Sequence, residues 1–162
     1  QLGGSTPQNY TSYLKDAFLI FEVERYHKNL KVQSRDTKKV YSIDTGLRNI
    51  NSKSLTEDDG KLLENIIFLE LLRRENKIYY FKQIMETDFV LVDGHKAVQA
   101  IQVTDSDLED EKTFKREVYG LVECLQFIGL NEGLILTRNR KEILKIEKLR
   151  IKMIPCREWL LS

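Results

Sequence analysis

The pattern of apolar and polar positions divides the chain into a short first part and a longer, more regular second part. Tyr10, Tyr13, Leu14 and Ala17 recur at helical spacing behind Ser5-Thr6-Pro7, an N-cap with proline in the first turn, and predict a short amphipathic helix. Phe18-Leu-Ile-Phe-Glu-Val-Glu follows at once. It is rich in aromatic and β-branched residues and reads as a strand. Lys28-Asn29 suits a turn, with Leu30 to Gln33 returning as the second arm of a hairpin. Lys39-Val-Tyr-Ser-Ile-Asp is a further short strand, stopped by the turn signal Asp44-Thr-Gly46. A helix feeding a β-wing has the shape of the end of a winged helix-turn-helix, and a helical linker with a hairpin fits the pattern as well. The polar stretch 49–59 marks a boundary between a first unit, 1–50, and a second, 55–162.

In the second unit, Gly60 to Asn76 carries Leu62, Leu63, Ile66, Ile67, Phe68, Leu69, Leu71 and Leu72, apolar on nearly every side, as a buried helix is. Ile78-Tyr-Tyr-Phe, Asp88-Phe-Val-Leu-Val and Ala97 to Val103 are strand-like, with Asp93-Gly94 as a hairpin turn between the last two. Phe114, Val118, Leu121, Val122 and Leu125 share one helix face. Gly133-Leu-Ile-Leu-Thr and Ile151-Lys-Met-Ile are further strands, and Arg157 to Leu161 one helical turn. The order is α-β-β-β-α-β, then a strand and a terminal turn: an α/β fold with a mixed central sheet flanked by helices, preceded by a helix and a β-hairpin.

Composition narrows the function classes. The 162 residues are 41% hydrophobic and 31% charged, values of a soluble globular chain rather than a disordered one. The 26 basic and 25 acidic residues leave a net charge of +1, so no global field draws the chain to nucleic acid or to membranes. Cys124 and Cys156 lack metal-ligand spacing, and Cys124 falls on the apolar side of its helix as a small buried hydrophobe. No apolar run reaches membrane-spanning length and no signal-peptide pattern opens the chain, so the expected location is cytoplasmic, without membrane contact. The start at Gln1-Leu-Gly-Gly, without an initiator methionine, reads as a piece cut from a longer protein.

A few polar groups stand where burial should exclude them. Glu64 interrupts the apolar helix, Asp88 begins an apolar strand, and Gln102 sits between Ile101 and Val103. If the strands are neighbours, the three side chains meet at one edge of the sheet. Two carboxylates at one point suit Mg²⁺, a hard cation that can activate water and neutralise phosphate charge. The plainer alternative is a turn cap for Asp88 and an ion pair for Glu64. These residues, with Met85-Glu-Thr-Asp88-Phe-Val and Ala100-Ile-Gln-Val-Thr104, resemble the PD-(D/E)XK, or restriction-endonuclease-like, nuclease superfamily. The resemblance implies that Glu64 and Asp88 match its first two acids, which would be the metal ligands, Gln102 its Glu position and Thr104 its Lys position. Gln102 brings no negative charge and Thr104 no ammonium, so the site is degenerate: no cofactor is expected, and Mg²⁺ only if the vestigial site works. Lys112 or Lys115 is a candidate displaced lysine, against a plain reading of both as solvated.

Tyr13-Leu-Lys-Asp-Ala-Phe-Leu, Lys39-Val-Tyr-Ser-Ile-Asp-Thr-Gly-Leu, Leu62-Leu-Glu-Asn and Asp88-Phe-Val…Ile101-Gln-Val resemble the C-terminal region of a bacterial and archaeal family of AAA-type P-loop ATPases. This resemblance implies a nucleotide-binding domain, a winged-helix segment and then a nuclease-like domain. No P-loop occurs in the chain, so ATP would belong to the domain before it. The implied partners are that ATPase domain and DNA, RNA or another protein. The expected role is non-catalytic binding, with a Mg²⁺-dependent nuclease and a structural or self-association domain as alternatives. Arg138, Arg140 and Lys141 form a small basic cluster, a candidate phosphate contact or an ordinary turn. His27 and His95 are isolated beside turns, where solvent exposure is expected. The acidic run Asp105 to Glu111 suits a helix N-terminus.

Overall fold

A computed structural model describes residues 6–29, 36–46 and 58–162. Helix α1 (Thr6–Asp16) leads to β1 (Ile20–Val23), which pairs antiparallel with β2 (Lys39–Ser42). The strand expected from Phe18 starts two residues later because Phe18 terminates the helix. Its N–H donates to the Lys15 carbonyl and the Leu19 N–H reaches back to Leu14, both at 2.9 Å, the paired bonds of a Schellman motif. Phe18 takes the left-handed conformation of that motif, with φ 56°. The partner of β1 is β2. The return arm expected at Leu30 to Gln33 lies outside the described residues, as do Ser5 and positions 49–57 of the polar stretch.

Next come α2 (Asp58–Arg73), β3 (Lys77–Lys82), β4 (Glu86–Asp93), β5 (Lys96–Val103), α3 (Glu111–Ile128) and β6 (Glu132–Thr137). The chain closes with β7 (Glu142–Ile146), β8 (Leu149–Pro155) and α4 (Cys156–Leu160). Strand β7 is an addition to the expected order: Glu-Ile-Leu-Lys-Ile, half-exposed at a sheet margin, has too weak an apolar signal to stand out from a turn. Six strands form one mixed sheet in the order β3-β4-β5-β6-β8-β7. β3, β4 and β5 run as antiparallel hairpins, while β5–β6 and β6–β8 are parallel. The parallel β5–β6 pair is joined through α3, the kind of crossover such a pair requires. Glycine at Gly94 (φ 57°) supplies the left-handed residue of the β4–β5 turn.

Helix α2 covers one face of the sheet and α3 the other. Ile67, Phe68 and Leu71 of α2 pack with Phe89, Leu91, Ile101 and Leu136, and Val23 and Tyr41 of the β1–β2 pair close over them. The Tyr41 ring stacks on Phe68 with centroids 4.3 Å apart. The helix is therefore covered from two sides, which accounts for its nearly all-round apolar sequence. On the other face, Val118, Leu121 and Leu125 of α3 pack with Val90, Ala100, Ile135 and Met153. Asp110 caps α3 by accepting from the Thr113 N–H at 2.7 Å, as the acidic run suggests. Past β1, the chain lies along β3: the Tyr80 N–H donates to the Glu24 carbonyl and the Tyr26 N–H to the Tyr80 carbonyl, at 3.1 and 2.6 Å.

Candidate functional site

The acidic residues picked out by sequence come together where β4 and β5 part. Their ladder stops at Phe89↔Ile101. Beyond it, side chains replace strand pairing: the Asp88 N–H donates to Gln102 Oε1 at 3.2 Å, and the Val103 N–H donates to Asp88 Oδ2 at 3.0 Å. β5 instead continues along β6, with the Thr104 N–H on the Leu136 carbonyl at 2.9 Å. The fork leaves Asp88 facing α2 and the β1–β2 pair.

Lys39 of β2 fills this position. Its Nζ lies 3.0 Å from Glu64 Oε1, 2.7 Å from Glu86 Oε1 and 3.0 Å from Asp88 Oδ1. Tyr41, two residues along the same strand, donates its hydroxyl to Glu64 Oε1 at 2.6 Å. Both side chains are aimed by Asn65 of α2, whose buried amide accepts from the Ser42 N–H and donates to the Ser42 carbonyl, each at 2.9 Å. That pair of bonds fastens β2 to α2 next to Glu64. From the other side, α3 holds the start of β4. Glu123 accepts from the N–H groups of Ile84 and Met85, and Thr87 donates to the Gly120 carbonyl. Gly120 is required there, since a Cβ would stand 2.8 Å from the Glu86 carbonyl oxygen.

Electrostatics follow from this crowding. Burial pushes the Asp88 carboxyl up and Glu64 pushes the same way, so it rises to about 7 despite Lys39 and the Val103 N–H. Burial opposes the charge of Lys39, but Asp88, Glu64 and Glu86 outweigh it and hold the ammonium above its ordinary range. Glu86 is half-buried, which raises its carboxyl, yet Lys39 and then Lys82 prevail and leave it below its ordinary value. Burial, with Glu64 alongside, raises the Tyr41 phenol far above its usual value and keeps it a donor.

Gln102 bonds the backbone of Asp88 and not the carboxylates of Glu64 or Asp88. Its Nε2 donates to Glu117 Oε2 at 2.5 Å, on the α3 side, and Glu117 is also held by Arg116. Lys115 pairs with Glu111 on the outer surface of α3, and Lys112 is exposed there, so neither approaches the acids. The ammonium among the carboxylates comes from Lys39. An open pocket of about 690 Å³ adjoins this centre, lined by Lys39, Glu64, Glu86 and Lys61 with Leu14 and Ile20 on its apolar side.

Mg²⁺ takes oxygen ligands at about 2.0–2.1 Å in near-octahedral geometry. Here three near carboxylate oxygens already converge on an ammonium, and the described residues hold no group of three His, Cys, Asp or Glu side chains arranged as a metal cage. The donor set does not fit a divalent ion while Lys39 is in place.

The other sequence candidates have internal partners. Arg138 pairs with Asp105, Arg140 with Glu142, and Lys141 with Glu158. Asp107 accepts from the Asn139 and Arg140 N–H groups, so the acidic run and the basic cluster satisfy each other. Cys124 and Cys156 are buried, which raises their thiols to about 12 and about 11. Among the described residues, no helix is long and apolar enough to cross a membrane. Lys39, Tyr41, Asn65, Glu86 and Glu117 were not singled out from the sequence. Glu86 alone had a signal, its place two residues before Asp88.

Residues 2–58 match the family model described as a domain of unknown function (DUF8612), which takes in the hairpin that carries Lys39. The chain is 32% identical over 165 residues to the uncharacterised protein MJ1544 of Methanocaldococcus jannaschii. That match covers 95% of this chain, which spans 36% of the relative's length. No solved structure matches the chain. Its similarity is thus to an archaeal protein nearly three times as long, of which it corresponds to about a third.

Proposed function

We propose that the chain is a non-catalytic, nuclease-shaped binding module, the C-terminal region of an AAA-type P-loop ATPase. The observation that carries this reading is the Lys39 ammonium lying within 3.0 Å of carboxylate oxygens from Glu64, Glu86 and Asp88. An internal cation neutralises the acids on which a PD-(D/E)XK enzyme would hold its metal, and Gln102 turns away to Glu117. The acids then do structural work: they fasten the N-terminal hairpin to the α/β core. The α2-β3-β4-β5-α3-β6 order supports the nuclease-like part of the reading, as does the convergence of Glu64 and Asp88. The greater length of the archaeal relative leaves room for an ATPase domain. Tyr10, Tyr13 and Phe18 are exposed along and after α1 and support contact with a protein partner.

The test is calorimetric titration with Mg²⁺ and Mn²⁺ beside DNA and RNA cleavage assays, on the wild type and on Asp88→Ala. Neither metal binding nor cleavage is expected in either protein. Saturable binding with cleavage, both lost in Asp88→Ala, would overturn the reading. That outcome belongs to a second reading, a nuclease in which Lys39 swings off the carboxylates to admit the metal and supplies the ammonium that Thr104 lacks. It predicts metal-dependent cleavage that disappears in Lys39→Met and is retained better in Lys39→Arg.

A further inference from the structure

A second hollow lies away from the acidic centre, between the chain leaving β1, the β4–β5 turn and the end of α3. Its volume is about 600 Å³, within the roughly 300–1,000 Å³ of ligand sites. His27, Lys28, Lys77, His95 and Lys96 line it, together with Tyr26 and Tyr79, and among the described residues no acidic side chain does. In a chain of net charge +1, most basic side chains elsewhere are paired: Lys15, Lys38, Arg73, Arg116, Arg138, Lys141 and Lys152 all meet carboxylates. Lys28, Lys77 and Lys96 form no ion pair with another described residue. Lys28 and Lys77 rest instead over aromatic faces, with Nζ 4.9 Å from the Phe127 ring centre and 5.6 Å from that of Tyr79. The Tyr26 and Tyr79 rings meet edge to face at 6.0 Å within the same wall. His27 Nδ1 lies 2.9 Å from the Asn29 nitrogen and 3.3 Å from the Asn29 carbonyl oxygen, which holds the ring beside the hollow.

We infer that this cleft binds single-stranded nucleic acid. Unpaired ammonium groups beside aromatic rings are the combination that holds a phosphodiester backbone and gives its bases a surface to stack on. A concave hollow of this size takes one or two nucleotides of a flexible strand. A duplex buries its bases and is read by elements that project into its grooves. The inference names a partner class for the binding module proposed above and rests on that reading.

The experiment measures fluorescence anisotropy of labelled oligothymidylate and oligouridylate, each about 12 nucleotides long, in EDTA. The 162-residue chain is compared with Lys77→Glu/Lys96→Glu and with Arg138→Glu/Lys141→Glu. Binding by the wild type is expected, weakened at least tenfold in the first variant and within twofold of wild type in the second. The slope of log affinity against log salt should fall by about 1.4 in magnitude in the first variant, for two lost phosphate contacts on a single strand. Absence of wild-type binding overturns the inference. So does equal binding by the first variant, or competition by polyglutamate as strong as by unlabelled oligonucleotide. Cleavage in the metal-containing assay would instead sink the non-catalytic reading and leave the cleft to be judged on these variants.

Discussion

At the acidic centre, carboxylates from α2 and β4 converge on one ammonium, and a buried amide fixes the strand that carries it. At the basic cleft, Lys28, Lys77 and Lys96 line one hollow with no carboxylate of the described residues among its walls. The first arrangement uses charge to join distant parts of the chain, since Lys39 and Asp88 are 49 residues apart. The second leaves its ammonium groups without an ion pair among the described residues, two of them resting over aromatic rings. The difference warns against reading function from clustered residues alone. Arg138, Arg140 and Lys141 form the more visible basic motif, and each is neutralised by the fold's own acids.

The contrast breaks most visibly at Lys39. Lys39→Met removes the common partner of the carboxylates and is expected to cost about 2–4 kcal/mol, measured by urea denaturation at pH 8. The penalty should shrink toward pH 5, where Asp88 takes up a proton. If Lys39→Met is as stable as wild type at pH 8, the centre is not the fastening described. Gly120→Ala tests the support beneath it. Its Cβ would meet the Glu86 carbonyl at 2.8 Å, backbone that cannot swing aside, for a loss of about 1–3 kcal/mol in the same assay.

Asp88 also makes a signed prediction about pH. Its folded carboxyl is raised from an ordinary value near 3.8 to about 7, so between these values the folded state binds the extra proton. Its contribution to stability therefore falls as pH rises through that window. Glu86 is shifted the other way, and its contribution is already complete above its ordinary value of 4.5. Denaturation from pH 5 to 8 should show a descending component in wild type that Asp88→Asn lacks; an unchanged slope would contradict the assignment. The smallest effect belongs to the cleft. Lys77→Glu/Lys96→Glu should change stability by less than about 0.5 kcal/mol. A larger loss would mean that these lysines hold the fold, as Lys39 does.

Much of the fold was legible because its signals are local. The apolar repeat of α3, the β-branched runs of β4 and β5 and the turn at Gly94 each declare themselves within a few residues. Phe18 misled because a left-handed helix end usually advertises itself with glycine, and an aromatic there looks like the first residue of a strand. β7 was missed because a half-exposed margin strand keeps little alternation. At the site, Glu64 and Asp88 stood out as charges in apolar surroundings. Lys39 did not, since a lysine opening a short strand looks like any solvated one, and only the hairpin's docking brings it to the acids. The cleft was illegible for the same reason: Lys28, Lys77 and Lys96 come from separate elements and share no motif.

The backbone pairing of Glu24 and Tyr26 with Tyr80 has a consequence for how the protein behaves in a crowded solution. β3 is a margin of the six-stranded sheet, and Ile78-Tyr79-Tyr80-Phe81 is the kind of aromatic, uncharged run that recruits strands from other molecules when its edge is bare. The opposite margin, β7, is guarded by Glu142 and Lys145, but β3 depends on the segment lying along it. Clipping the chain between Tyr26 and Lys39 would cut that guard loose from its connection to β2. The first sign of such damage would be aggregation.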